Sequence, residues 1–340
     1  MTRGVAATGS LFRGLSTALL GLSVLAIPAV AAGQGWRVVF DIDNDVLVDD
    51  DRHYTNGLFL SVLAPKGNVP SWISSVAVLL SPYDDDPSEV RWGFALSHEM
   101  YTPENSATAQ LVEDDRPYAG YLYLSFELYR DRYRDESDKI PFLDSLEIDL
   151  GVVGPAAIAE QGQDLLHTIF PSPEFEGWDN QLKNEFAFVL RRARHWRLPA
   201  EPIEIGRGLS LDAIVNLTAE AGNVKTAGTA GILLRGGWRL PADFGRGRFS
   251  PVDDPELGFR LFVFAGAELS GVVRDIFLDG NTFRDSHDVN KRAVVIHAPI
   301  GIAFARGRFR SSLSLIWNSE EFEGQDGADL YGRWSIVVGF

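Results

Sequence analysis

From about residue 33 onward the chain alternates between apolar and polar positions. Leu122, Leu124, Phe126 and Leu128 fall on one side of an extended segment, and Tyr121, Tyr123, Ser125, Glu127 and Tyr129 fall on the other. Leu146, Ile148 and Leu150 alternate with Ser145, Glu147 and Asp149, and Leu313, Leu315 and Trp317 with Ser312, Ser314 and Ile316. Segments of this kind recur at 36–44, 56–64, 90–100, 119–130, 144–153, 184–196, 208–220, 226–239, 258–270, 292–306, 308–319 and 330–340. Carboxylates on the inner face of a dry sandwich would be costly unless paired, whereas a wet lumen accepts them. Twelve segments is an even number, as single-chain bacterial barrels have. The pattern predicts an all-β fold, a twelve-stranded antiparallel transmembrane β-barrel with a short helix in a long loop. The last segment carries Trp334, Ile336, Val338 and Phe340 on its outward face and ends on an aromatic residue.

The first 32 residues belong to a different class. They hold Arg3 and Arg13, no acidic residue, an apolar stretch from Leu15 to Val30, and the small residues Ala29-Val30-Ala31-Ala32. That order reads as a secretory signal peptide, 1–32, leaving 33–340 as one barrel domain exported to the outer membrane of a Gram-negative bacterium. Ser16, Thr17, Gly21, Ser23 and Pro28 interrupt the stretch, which falls short of the roughly 20 apolar residues of a spanning helix. Removing it takes the formal charge from −16 to −18, a poor surface for nucleic acid, which is bound by neutralising phosphates. Cysteine is absent, so neither disulfides nor thiolate metal sites contribute.

Two connections are too long for simple turns. Residues 66–89 contain a helix-like piece, Trp72 to Leu80, and the acidic run Asp84 to Asp86; residues 155–183 contain a helix around Glu160 to Ile169. Long structured loops either shape a site or merely cover the barrel mouth. The densest polar cluster is Asp43 to Gly57, where Asn44, Asp45, Asp49, Asp50 and Asp51 offer the hard oxygen ligands calcium prefers. It lacks the spacing of an EF-hand, and acidic turns are commonly just solvated. Taken alone, His167 reads as a solvated helix histidine sooner than as a general base. No Gly-x-Ser-x-Gly elbow occurs, and His167 is followed by Thr168 and Ile169, without the strand-borne serine two residues away of the outer-membrane phospholipases.

Several blocks taken together carry a resemblance. Asn44-Asp45 with Asp51-Arg52-His53-Tyr54-Thr55-Asn56-Gly57 is similar to the opening signature of the outer-membrane lipid A 3′-O-deacylases. Tyr101-Thr102-Pro103, Asp115 to Gly120, Gly154-Pro155, Gln163 with His167, and Gly177 to Gln181 follow in the family's order. The resemblance implies a hydrolase of an ester-linked acyl chain of lipid A in lipopolysaccharide, with its site at the outer-leaflet edge of the barrel. It implies His167 as general base, Asp45 as the residue holding a calcium cofactor, Asn44 as an organiser and Thr55 as a hydrogen-bonding support. An imidazole near its natural pKa can take a proton from water, and calcium can stabilise an oxyanion.

The loop 104–115, ENSATAQLVEDD, contains no Lys or Arg where the family carries basic residues. Arg116 follows, and is either an oxyanion or substrate contact or an ion-pair partner of Asp114 or Asp115. Alternation sends Asn44 and Asp45 to opposite faces, so both serve one site only if the strand ends or bulges there. The rival reading is a non-catalytic barrel, structural or a narrow channel; a soluble periplasmic β-protein is third.

Overall fold

The computed structural model describes residues 35–44, 53–77, 89–132, 140–167, 175–241, 243–245 and 258–340; for residues 55, 77, 131, 132 and 165–167 the backbone alone is described. The expected signal peptide, the acidic residues Asp45 to Asp51 and the run Asp84 to Asp86 lie outside these residues.

Twelve strands form one closed sheet: β1 Arg37–Asn44, β2 His53–Leu63, β3 Val90–Thr102, β4 Ala119–Arg132, β5 Phe142–Val153 and β6 Glu185–Gly206 make its first half. The second half is β7 Leu209–Gly222, β8 Lys225–Trp238, β9 Arg260–Asp275, β10 Val294–Arg306, β11 Phe309–Asn318 and β12 Asp329–Gly339. Each strand pairs antiparallel with its neighbours in sequence, and β1 closes on β12 from Arg37↔Gly339 to Asn44↔Gly332. Closure leaves no sheet edge, which is what lets strands cross lipid. Among the described residues no helix is long and apolar enough to cross a membrane.

Alternation is resolved as read. Leu124, Leu150, Phe186, Val263 and Ile300 lie exposed on the outer wall, while Ser125, Glu127, Glu147 and Asp149 are buried inside. The lumen is held by ion pairs. Arg191 bonds Glu147 at 2.8 Å and Glu220 at 2.9 Å and Arg333 grips Asp43 through both oxygens, while on the outer face of the wall Arg194 does the same to Asp144. Buried charges without such partners would cost several kcal/mol each, so the pairing is a condition of the fold.

Three boundaries differ from the sequence reading by three residues or more, and one of them is β9, which runs on to Asp275, five residues past 270. β6 runs ten residues past 196, through Pro199 and Pro202, because a register irregularity between Leu198 and Ile203 absorbs the missing N–H donors. β2 starts at His53, three residues early, with a register shift between Tyr54 and Asn56 that leaves Thr55 as a bulge.

Among the described residues three short α-helices decorate the barrel: α1 Ser71–Ala77, α2 Ala159–His167 and α3 Ile276–Asp279. α1 lies against the outer wall near the terminal end, with Ile73 fully buried beside Val90, Leu128 and Leu146. At that same end the chain turns inward. Asp243 is bound by Arg235 and by Arg310, and Phe244 packs against Val39, Leu143 and Val337. Residues 243–245 thus reach into the lumen and line, with Asp41, Glu99, Tyr123, Arg191 and Lys225, a cavity of about 430 Å³.

Candidate active site on the outer wall

The end of the barrel opposite the termini holds the blocks singled out by sequence, and they divide between the two sides of the wall. On β3, Phe94 and Leu96 point outward, and by the same period so do His98 and Met100. On β4 the outward row is Leu124, Leu122 and Gly120. α2 lies on this outer strip. A Cβ added at Gly120 would stand 2.5 Å from the Cβ of Ala159, and one at Gly162 would stand 2.9 Å from Cε1 of His98 and 3.3 Å from Cε of Met100. Glycine at both positions lets helix and sheet approach to backbone distance.

An apolar cluster of Met100, Tyr118, Ala159 and Trp178, with Phe175 against it, seals the contact. Trp178 Nε1 donates to Oε1 of buried Gln163 at 2.7 Å, and its ring packs on Tyr118 with centroids 5.0 Å apart. Leu182 N donates to Tyr118 O, Tyr118 Oη to Ser106 O, and Asn180 Nδ2 to Ala109 O, so loops 103–118 and 175–182 hold one another. His167 is the last residue of α2, four positions and one turn beyond Gln163; its side chain lies outside what is described.

β1 and β2 complete the strip. Asp41 lines the lumen, which turns Ile42 and Asn44 outward. Asn44 is the last described residue of β1, and Asp45 lies outside the described residues. Asn44 faces Asn56 across the β1–β2 ladder, and Asn56 faces Met100 across β2–β3. Asn56 belongs to the outward row of Leu58 and Leu60, yet is only 1% exposed. Neither its Oδ1 nor its Nδ2 has a hydrogen-bond partner among the described residues. Sequence reasoning passed over Asn56. The available signal was a polar residue in an otherwise apolar outward row.

Arg116 falls on the other side. Its guanidinium is buried, donates to Oε2 of Glu321 at 3.1 Å and lies over the Tyr101 ring at 5.1 Å. Burial pulls the Arg116 pKa down, but Glu321, Asp275 and Asp329 outweigh it and hold it above its ordinary value. Burial likewise pushes Glu321 up, and Arg116 and Lys225 more than reverse that. The ion-pair partner is therefore Glu321, not Asp114 or Asp115 as the sequence suggested. Asp115 turns to His53, whose Nδ1 lies 2.7 Å from Asp329 and whose Nε2 lies 3.4 Å from Asp115. Burial raises the Asp115 carboxyl, but His53 and the amides of Glu104 and Arg116 bring it below the ordinary carboxylate range. One block, Asp115 to Gly120, thus serves the lumen mouth with its first two residues and the outer helix with Tyr118 and Gly120.

A closed barrel with an apolar outer belt, a charged lumen into which residues 243–245 fold, and a helix clasped to the outside of its wall is an outer-membrane protein whose helix-covered strip lies on the lipid side of the wall. The model of the family described as outer membrane protein LpxR matches residues 16–340, and the chain belongs to that family. Its fold is similar to that of LpxR from Salmonella typhimurium, with a TM-score of 0.69 at 20% identity over 89% of this chain and 100% of that one. The translocator domain of the autotransporter NalP from Neisseria meningitidis matches at 12% identity with a TM-score of 0.35, over 99% of this chain and 100% of that one. No curated protein matches the sequence.

Proposed function

We propose that the chain is a lipid A deacylase that hydrolyses an ester-linked acyl chain, of the 3′-acyloxyacyl type, at the outer-leaflet face of its own barrel. The observation that carries this reading is the packing of α2 on the outward faces of β3 and β4. It sets Asn44, Asn56 and the helix that carries His167 beside one lipid-facing strip, and its support at Gly120, Tyr118 and Trp178 has no role in forming a pore. A lipid reaches such a strip sideways from the membrane.

The reaction is hydrolysis. His167, as neutral imidazole, takes a proton from water while the water oxygen bonds to the acyl carbonyl carbon. The carbonyl becomes an oxyanion; its collapse breaks the bond to the sugar oxygen, which leaves with the proton from the imidazolium. Gln163, fixed through its oxygen by Trp178, keeps the turn preceding His167 in place. Thr55 sits on the bulge beside Asn56 and is assigned the supporting hydrogen bond.

The donors on this strip fit a hard cation. Asn44 and Asn56 present carboxamide oxygens, that of Asn56 without a partner among the described residues, and neither α2 nor the facing wall residues include Lys or Arg. Among the described residues no three His, Cys, Asp or Glu gather as a metal site, so Asp45 with Asn44 would supply the holding oxygens. Calcium bound there supplies positive charge to a developing oxyanion without a titrating group. A channel reading is disfavoured by the Asp243–Arg235–Arg310 plug.

The test is mass spectrometry of lipid A from cells with and without the protein, with calcium supplied. Loss of one acyl chain only in cells carrying it is the expected result; unchanged lipid A, together with ion conductance by the purified barrel, would overturn it.

A further inference from the structure

Ester hydrolysis needs a hydrogen-bond donor where the carbonyl oxygen gains charge. The loop 104–115 carries no Lys or Arg, and Arg116 is turned into the lumen mouth on Glu321. Asn56 is different. It is buried on the lipid side of the wall, opposite Asn44 on one ladder and Met100 on the other, and Met100 lies under Gly162 of α2. Its neighbours in the outward row are Leu58 and Leu60, so an apolar residue would suit the wall better than an amide. A buried amide with neither atom bonded is a net cost to the fold, and native structures keep such groups where a ligand uses them. Gln163, another buried amide at this face, has its oxygen committed to Trp178 and only its Nε2 without a partner among the described residues, whereas Asn56 has neither atom bonded.

Resting on the deacylase reading above, we propose that Asn56 is a further catalytic residue, whose Nδ2 donates to the carbonyl oxygen of the acyl ester as it becomes an oxyanion. The group is neutral, so it stabilises the charge without repelling a cation held nearby by Asn44 and Asp45. It also sits on a strand, which holds its position more rigidly than a loop lysine.

The test uses the full-length barrel, refolded in detergent with lipid A and calcium, and compares wild type with Asn56→Ala, Asn56→Asp and Asn56→Leu. Fatty acid release gives kcat and KM, and urea unfolding gives stability. The expected result is a loss of about 10²- to 10³-fold in kcat for all three variants, with KM within about twofold. Asn56→Asp keeps the size and the oxygen but lacks the donor, so full activity in that variant would overturn the donor role. Asn56→Leu should unfold at higher urea than wild type while losing activity, the reverse of what a structural amide gives. Near-wild-type kcat in Asn56→Ala, or loss of kcat in step with loss of the folded band, would overturn the proposal and leave the deacylase reading standing. An inactive wild type would bring down both.

Discussion

Trp178 donates its indole N–H to Oε1 of Gln163 at 2.7 Å, and this bond ties the loop that follows α2 back onto the face of α2 that touches the barrel. The two residues come from separate sequence blocks and have no common period. Replacing Trp178 by Phe keeps an aromatic ring beside Tyr118 but leaves a buried amide oxygen unsatisfied, at a cost of about 1–3 kcal/mol. The expected outcome is faster hydrogen exchange confined to α2 and about a tenfold fall in deacylation. Unchanged exchange in α2 would show that the helix is held by packing alone.

Gly120 tests the clasp itself. A side chain there meets Ala159, whose Cβ would be 2.5 Å from the new Cβ, so Gly120→Val must lift the start of α2 from the wall. Overpacking of this kind costs about 1–3 kcal/mol. The barrel ladder lies beneath the clash, so the variant should still run as a heat-modifiable band while its hydrolytic activity collapses. Retained activity would mean that α2 does not form one wall of the site.

His167→Ala should lower turnover by about 10²- to 10⁴-fold, the usual weight of a general base. The measurement is fatty acid release by a barrel shown to be folded. His53, bound between Asp329 and Asp115 at the lumen mouth, should matter far less as a base.

Chelation with EGTA should stop hydrolysis, calcium should restore it, and magnesium should restore it poorly because it demands tighter octahedral geometry. Asp45→Asn should raise the calcium requirement, whereas Asp85→Asn should not. Full activity of Asp45→Asn in EGTA would remove the cation from the mechanism.

The plug at the terminal end makes a prediction independent of chemistry. Asp243 is shared by Arg235 and Arg310, and Asp212 already holds Arg235 through two bonds. Asp243→Ala therefore strands Arg310, which among the described residues keeps the carbonyl of Gly245 at 2.7 Å. Breaking a buried pair in this way costs about 3–5 kcal/mol. Reduced resistance to urea and a measurable conductance in planar bilayers are expected; wild-type values for both would show that residues 243–245 do not close the lumen.

The twelve strands, their inward and outward faces and nearly all their boundaries were legible because a period of two records which side of a wall each residue takes. Leu122 to Leu128 against Tyr121 to Tyr129 needed nothing else. The same rule marked Asn44 as outward and Asp43 as inward, and counted back from Leu60 and Leu58 it puts Asn56 outward as well. What it could not say is that this amide is buried there with no partner among the described residues. Alternation names a face but says nothing of what approaches that face. That α2 lies on the lipid side at Gly120, that Arg116 turns inward to Glu321 only four residues earlier, and that Asp243 and Phe244 fold back into the lumen are all contacts between distant segments. Loops carry no repeat that encodes such contacts. Their positions are set by shape and charge complementarity with a barrel that must close first, and only the tertiary structure supplies both partners at once.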